Sequence, residues 1–143
     1  MKVFLAGIMQ GSLQENTVHG QEYRREISAI VRRRFPNAEV LDPWALHPNS
    51  PTYDTEQARQ TFFHFCEQAG KTDLLIAYLP EASLGTAVEM WEAYRHGVPV
   101  ITVSPMVDNW AIRFLSWRIC PALEDLETLL ESISLPLHRP AKS

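Results

Sequence analysis

A strand, a small-residue turn and a helix follow one another directly between residues 73 and 89. The apolar run at 74–79 is typical of a buried strand, the segment 80–86 is rich in turn residues, and residues 87–94 continue with helical character. A strand that is apolar along its whole length has to be covered on both sides, as happens in parallel sheets whose strands are joined by helices. This segment therefore predicts an open α/β sheet.

The same alternation runs along the chain of 143 residues. We predict strands at 3–8, 39–42, 74–79, 98–104 and 118–120, and helices at 20–35, 55–69, 85–96, 109–117 and 123–133. The fold expected from this order is a doubly wound, five-stranded parallel sheet of order 2-1-3-4-5 with helices on both faces. It forms one domain over residues 1–133, followed by a frayed tail at 134–143.

Two of these segments carry further expectations. The stretch at 43–53 contains three prolines, so it is predicted to be a long irregular loop. The helix at 55–69 is predicted to turn four side chains toward the core: Ala58, Phe62, Phe65 and Cys66.

Composition excludes several classes of protein. A net charge of −4 lacks the basic surplus of a nucleic-acid-binding protein, and the basic run at 32–34 is interpreted as a solvated helix end. No apolar run is long enough for a signal peptide or a membrane span, so we expect a cytoplasmic protein with no membrane partner. The two cysteines, Cys66 and Cys120, are expected to be reduced thiols.

No metal and no cofactor are expected. The five histidines show no metal-ligand spacing. The chain also has neither a Gly-x-Gly-x-x-Gly motif nor a Walker lysine, which argues against a dinucleotide or NTP enzyme.

The turn at 80–86 is the strongest candidate for a binding site. In an open α/β sheet ligands bind at the carboxyl ends of the strands, where a Ser/Gly turn offers backbone N–H groups to an anion or a sugar hydroxyl. Glu89 follows in the first turns of the next helix, whose dipole favours an ionised carboxylate, the form that a nucleophile needs. The alternative is a common strand–helix joint with an ordinary surface glutamate.

Two motifs together resemble the nucleoside 2-deoxyribosyltransferase superfamily, which includes the 2′-deoxynucleoside 5′-monophosphate N-glycosidases. They are Leu-Ala-Gly-Ile-Met-Gln-Gly-Ser at 5–12 and Pro-Glu-Ala-Ser-Leu-Gly-Thr-Ala-Val-Glu at 80–89. The resemblance implies that Glu89 attacks C1′ of the sugar and forms a glycosyl-enzyme, which is released to water or to another base. It also implies a sugar-phosphate pocket lined by five small residues: Gly7, Gly11, Ser12, Ser83 and Gly85.

Ser83 and Arg113 bear on which branch of the superfamily is meant. The transferases carry an aspartate six residues before the nucleophile, and this chain has Ser83 there, as the monophosphate glycosidases do. Arg113 falls in the segment that, by resemblance, reaches into a neighbouring subunit's site, where a guanidinium would clamp a phosphate. The expected function is therefore an N-glycosidase acting on a nucleoside 5′-monophosphate. A transferase acting on free nucleosides and a non-catalytic nucleotide-binding module are the alternatives.

The superfamily's second carboxylate, an aspartate about two turns before strand three, is missing from this chain. Either His64 or Asp54 could take over its acid role, although a histidine among aromatic residues is more often part of the core. Trp44, just after strand two, could stack on a nucleobase or simply cover the core.

The aromatic residues of the last helices predict self-association. Five of them exceed what one small domain needs inside, and an isologous homodimer or a higher homo-oligomer would bury the excess. They are Trp91, Tyr94, Trp110, Phe114 and Trp117.

Overall fold

The computed structural model describes residues 1–9 and 18–137, and in them a five-stranded sheet with every strand parallel to its neighbours. The strand order 2-1-3-4-5 confirms the predicted doubly wound α/β fold. The strands are β1 (Lys2–Gly7), β2 (Glu39–Leu41), β3 (Leu74–Tyr78), β4 (Val100–Val103) and β5 (Arg118–Cys120).

Helices join the strands and cover both faces of the sheet. They are α1 (Glu22–Arg34), α2 (Pro43–Leu46), α3 (Thr55–Ala69), α4 (Leu84–Arg95), α5 (Trp110–Leu115) and α6 (Leu126–Glu131). A 3₁₀ turn, Leu123–Asp125, precedes α6, so the predicted helix at 123–133 is shorter than expected and divided. Among the described residues, no helix has the length and apolar character needed to cross a membrane.

The prediction of an irregular loop at 43–53 is wrong, because this segment contains the helix α2 and a 3₁₀ turn, Ser50–Thr52. Asp42 caps α2 by accepting a hydrogen bond from the backbone N–H of Trp44 at 3.0 Å. Pro43 stands at the first helical position, where a missing N–H costs nothing. The prolines therefore begin short helices here instead of excluding them.

One face of the sheet is covered by α1 and α6. Tyr23, Ile27 and Val31 of α1 and Leu126 and Leu130 of α6 pack on alternate residues of the strands in one buried cluster. Cys120 of β5 belongs to the same cluster and, like the half-buried Cys66, is a free thiol.

Arg32 and Arg33 of the basic run at the end of α1 are exposed, as expected of a solvated helix end, whereas Arg34 is half-buried and contacts α6. Arg33 forms a bidentate ion pair with Glu127, at 2.7 and 3.1 Å. Arg34 donates hydrogen bonds to the backbone carbonyls of Leu130 and Ile133 at 2.9 and 2.6 Å. Both carbonyls lie at or just after the end of α6, where helix carbonyls often accept hydrogen bonds from side chains.

The other face is covered by α3, α4 and α5. Phe4, Ala6, Leu75 and Ala77 of the strands pack there against a second cluster of buried helix residues: Phe65, Ala69, Met90, Ala93 and Ile112. Only the last part of α3 joins this core. The expectation for Phe65 is confirmed, but Ala58 and Phe62 are exposed and Cys66 is half-buried. The first half of α3, with residues 55–60 exposed, lies outside this cluster.

Candidate active site

The candidate site is a cavity of about 360 Å³ at the carboxyl ends of β1 and β3. The strand order changes direction between these two strands, so the connections that leave them diverge and open a crevice. Four parts of the chain line it: Gly7 and Met9 after β1; Pro43, His47, Ser50 and Tyr53 after β2; Ala58, Thr61, Phe62 and Phe65 of α3; and Ser83, Leu84, Gly85, Thr86 and Glu89 at the start of α4.

The first turn of α4 faces this cavity and is held by Ser83. Ser83 is the N-cap residue: its Oγ accepts a hydrogen bond from the backbone N–H of Thr86 at 3.3 Å and lies 2.9 Å from the Thr86 hydroxyl. The N–H groups of Leu84 and Gly85, the first helical residues, have no acceptor within the helix. A Cβ at Gly85 would meet no atom within 4 Å, so the cavity comes right up to its backbone. This turn therefore offers hydrogen-bond donors to an anionic or hydroxyl-bearing ligand.

Glu89 is half-buried and lies in the second turn of α4, five residues after its first residue, Leu84. Burial raises the pKa of its carboxyl to about 8, and the charge of Arg24 acts in the opposite direction. The expectation that the helix dipole favours the ionised form does not take this burial into account. The effect of the dipole falls off beyond the first turn. A pKa of about 8 means that most of these carboxyl groups hold a proton near neutral pH.

Arg24 and Tyr23 of α1 donate hydrogen bonds to the backbone at the end of β1, which borders the cavity. Arg24, only 2% exposed, donates to Asp42 at 2.7 Å and to the carbonyl of Gly7 at 3.0 Å. The Tyr23 hydroxyl donates to the carbonyl of Ile8 at 2.8 Å. A Cβ at Gly7 would overlap with that hydroxyl, so glycine is the residue that fits there.

Arg24 is not among the site residues predicted from the sequence. Its signal was an arginine within the apolar stripe of α1, at the spacing of Ile27 and Val31. A charged residue in such a stripe has to find a buried partner, which here is Asp42.

His47 and Tyr53 form the wall of the cavity that belongs to the segment after β2. Nδ1 of His47 lies 2.6 Å from the Tyr53 hydroxyl oxygen, and the two rings meet edge to face. The His47 ring also packs edge to face against Phe65, with the ring centroids 5.4 Å apart. Both residues went unnoticed in the sequence because they fall in the segment expected to be irregular.

The two residues suggested as the acid do not line the cavity. Asp54 is the exposed N-cap of α3, where its carboxylate accepts from the backbone N–H of Gln57 at 2.8 Å and completes a capping box. His64 is exposed on α3, with its ring against the edge of Phe65 at 5.3 Å. Neither side chain is brought together with Glu89 in this cavity.

Trp44 lies beside a different cavity, of about 350 Å³, which it lines together with Arg24, Arg25 and Asp42. Gly11 and Ser12 fall outside the described residues. Arg113 is exposed on α5, where its guanidinium lies 5.3 Å from the centre of the Phe114 ring, and it does not line the cavity of its own chain.

An exposed apolar surface begins at the rim of the cavity. Leu84, Val88 and Trp91 form a stripe along α4, and Trp110 and Phe114 are exposed on α5. Trp91 is 51% exposed, Trp110 74% and Phe114 60%. We call these five residues the α4/α5 surface. Tyr94 stacks on Trp91, and Trp117 packs against the core, so both are half-buried.

Comparison with protein-family models gives no match, and comparison with curated proteins gives none either. Solved structures do match. A 2-deoxyribosyltransferase from the psychrotolerant bacterium Bacillus psychrosaccharolyticus is similar with a TM-score of 0.66 and 20% identity, over 91% of this chain and 96% of that chain.

Two further structures are similar over most of their length. A conserved protein from Enterococcus faecalis V583 has a TM-score of 0.62 and 18% identity, over 91% of this chain and 96% of that chain. The CMP N-glycosidase BcmB of Clostridium botulinum has a TM-score of 0.55 and 21% identity, over 92% of this chain and 98% of that chain. At these identities the likeness shows a shared fold, and it agrees with the superfamily resemblance of the two motifs.

Proposed function

We propose that this protein is an N-glycosidase that cleaves the bond between base and sugar in a nucleoside 5′-monophosphate. One observation carries the proposal: a single cavity at the point where the strand order reverses is lined by Glu89, Ser83, Gly85 and Gly7. Glu89 carries a carboxylate, which can act as a nucleophile. The other three are small residues, and the first turn of α4 offers N–H groups to a ligand. The fold shared with a 2-deoxyribosyltransferase and a CMP N-glycosidase supports the same chemistry.

In the proposed reaction the ionised carboxylate of Glu89 attacks C1′ of the sugar as the bond to the base breaks. A glycosyl ester forms, and a water molecule then hydrolyses it. A pKa of about 8 leaves roughly a tenth of the carboxyl groups ionised at pH 7. The buried carboxylate is correspondingly basic and poorly solvated once ionised, which favours attack.

The 5′-phosphate is proposed to bind at the first turn of α4. Ser83 is neutral, so it does not repel a phosphate as a carboxylate would, and the N–H groups of Leu84 and Gly85 can donate to it. Arg113 is proposed to arrive from a second copy of the chain, docked through the α4/α5 surface. Its own position, exposed and next to Phe114, suits a residue that serves a neighbour's site.

A 2-deoxyribosyltransferase is the second candidate, favoured by the similarity to the Bacillus psychrosaccharolyticus enzyme. It would use the same nucleophile but would pass the sugar to another base. A non-catalytic nucleotide-binding module is the third, and the absence of the superfamily's second carboxylate is the observation in its favour.

One assay separates the three. Release of free base from nucleoside 5′-monophosphates is measured with and without an added acceptor base. We expect release in water alone for a hydrolase, release that depends on the acceptor for a transferase, and binding without release for a module. Glu89→Gln should abolish release, whereas Glu92→Gln, one turn further along α4 and paired with Arg95 at 3.6 Å, should keep it.

A 2-fluorinated nucleotide analogue tests the covalent step. The fluorine slows hydrolysis of a glycosyl ester, so mass spectrometry should find the sugar on the peptide that contains Glu89. A wild-type protein that turns over the substrate yet never carries this adduct would contradict the proposed intermediate.

A further inference from the structure

Cleavage of a base from a sugar leaves a pair of electrons on a ring nitrogen of the base. Most bases leave slowly as anions, so glycosidic cleavage is accelerated when an acid protonates the departing group. Three of the described residues that line the cavity have side chains that can donate or accept a proton: Glu89, His47 and Tyr53. With Glu89 engaged as the nucleophile, His47 and Tyr53 are the candidates for the proton donor among the described residues.

We propose that His47 is the general acid of this site and protonates the leaving base, in place of the carboxylate that the chain lacks. This inference rests on the proposed function and adds the residue that completes its chemistry. Tyr53 is a positioning residue that holds the His47 ring through its hydroxyl.

The geometry around His47 suits this role. Its Nδ1 shares the 2.6 Å hydrogen bond with Tyr53, and its ring is fixed edge to face between Tyr53 and Phe65. Phe65 is buried in the core, so its contact fixes the position of the His47 ring. Nε2 has no hydrogen-bond partner among the described residues and remains available to a ligand in the cavity.

The position of His47 also fits the direction of the reaction. Glu89 enters the cavity from α4, and His47 enters it from the segment after β2. A sugar held at the start of α4 would then lie beside the nucleophile, in the same cavity as the wall formed by His47 and Tyr53. Imidazole is the side chain that most readily gives and takes a proton near neutral pH.

The proposed steps balance. The bond between C1′ and a carboxylate oxygen of Glu89 forms while the bond from C1′ to the base breaks, and its electron pair goes to the base nitrogen. The imidazolium of His47 gives that nitrogen its Nε2 proton, and the base leaves neutral. A water molecule then attacks C1′ and releases Glu89 as a carboxylate. The neutral His47 takes the proton of that water, which restores the starting state.

The experiment compares two substrates that differ in their need for an acid. A purine nucleoside 5′-monophosphate releases its base only with a proton, whereas its 7-methylated form carries a positive charge and releases a neutral base without one. We expect His47→Gln to lower kcat for the unmethylated nucleotide by about 10²–10⁴-fold and to leave kcat for the methylated one nearly unchanged. Turnover of the methylated nucleotide also shows that the variant is folded.

Three further variants sharpen the test. Tyr53→Phe keeps the ring but removes the hydroxyl, so it should lower kcat about 10-fold for the unmethylated nucleotide alone. Glu89→Gln should abolish turnover of both nucleotides, since it removes the nucleophile. His96→Gln, at the far end of α4, is the matched histidine control and should behave as the wild type.

The outcomes are distinguishable. Equal losses on both nucleotides in His47→Gln, or no loss on either, would overturn the role of His47 while the glycosidase itself stands. A selective loss in His64→Gln instead would transfer the role to the residue on α3. A wild-type protein that releases base from no purine or pyrimidine nucleoside 5′-monophosphate would overturn the proposed function and this inference with it.

Discussion

The two faces of the sheet differ in how completely the helices cover them. On the α1/α6 face the chain covers its own core, and Arg33 and Arg34 secure α6 with an ion pair and with hydrogen bonds to its last carbonyls. On the α3/α4/α5 face the cover is partial. The first half of α3 is exposed, the α4/α5 surface is open, and the candidate site lies among these same helices.

This difference separates stability from function. Large side chains on the α1/α6 face are buried, so the free energy of folding depends on them. Many on the other face are exposed and contribute little to the fold of a single chain. Substitutions of buried residues on the α1/α6 face and of exposed residues on the other face should therefore affect different measurements.

The largest expected effect on stability is on the α1/α6 face. Leu130 is fully buried, so Leu130→Ala should lower the free energy of unfolding by about 2–5 kcal/mol through the cavity it leaves. Denaturant unfolding measures this loss. Base release per folded molecule should stay the same, and a large fall in that rate would break the separation of the two faces.

Glu89 should make the protein less stable as pH rises. Its carboxyl has a pKa of about 8 when folded and near 4.5 when unfolded, so between these values only the folded form keeps the proton. Stability from this group is thus fully present below pH 4.5 and lost as pH rises through 8. Glu89→Gln should remove this fall and be more stable by roughly 2–4 kcal/mol at pH 9. Unfolding curves that fall equally with pH in both proteins would show that the carboxyl is not buried as described.

Arg113 should matter for the phosphate and not for the fold. Charged hydrogen bonds are worth about 1.5–3 kcal/mol, so the wild type should prefer a nucleoside 5′-monophosphate over its nucleoside by at least about 10-fold in kcat/KM. Arg113→Ala should erase most of that preference by weakening the monophosphate, and Arg95→Ala, at the other end of α4, should not.

The same prediction depends on a second copy of the chain. Light scattering should find a dimer or a larger assembly at micromolar concentration. A chain that stays monomeric there would remove Arg113 from the site, and equal turnover of nucleoside and monophosphate would favour the transferase.

The smallest effect is expected at Gly85. Its Cβ position is open and α4 gains helix propensity from alanine, so Gly85→Ala should leave the fold as stable or more stable by up to about 1 kcal/mol. The added methyl group would project into the cavity and should lower kcat/KM. Thermal unfolding and base release, measured on one preparation, would separate the two effects. Unchanged kinetics would mean that substrate does not reach this turn.

The sequence predicted the fold and one side of the candidate site for a common reason. Apolar runs identify strands, parallel strands bring their carboxyl ends to one edge, and Ser83, Gly85 and Glu89 follow such a strand directly. Their mutual placement therefore needs only local patterns and topology.

The other side of the site could not be predicted in this way. His47 and Tyr53 are positioned by contact with each other and with Phe65, which lies on a helix that follows them in the chain. Three prolines in their segment concealed two short helices, because the capping of α2 by Asp42 depends on geometry that a pattern of residue types does not contain. The buried pair of Arg24 and Asp42 was missed for a different reason, since the arginine within the apolar stripe of α1 was a signal but did not identify its partner.

The exposed first half of α3 gives the site one adjustable wall. Residues 55–60 are exposed, and the start of the helix is held mainly by its own capping box, so this part can shift or fray without opening the core. The first turn of α4, by contrast, begins directly after a central strand. Sugar and phosphate would therefore meet a rigid side of the cavity, while the base meets the compliant one. Selection for a larger or smaller base could act on Ala58, Thr61 and Phe62 at little thermodynamic cost to the sheet.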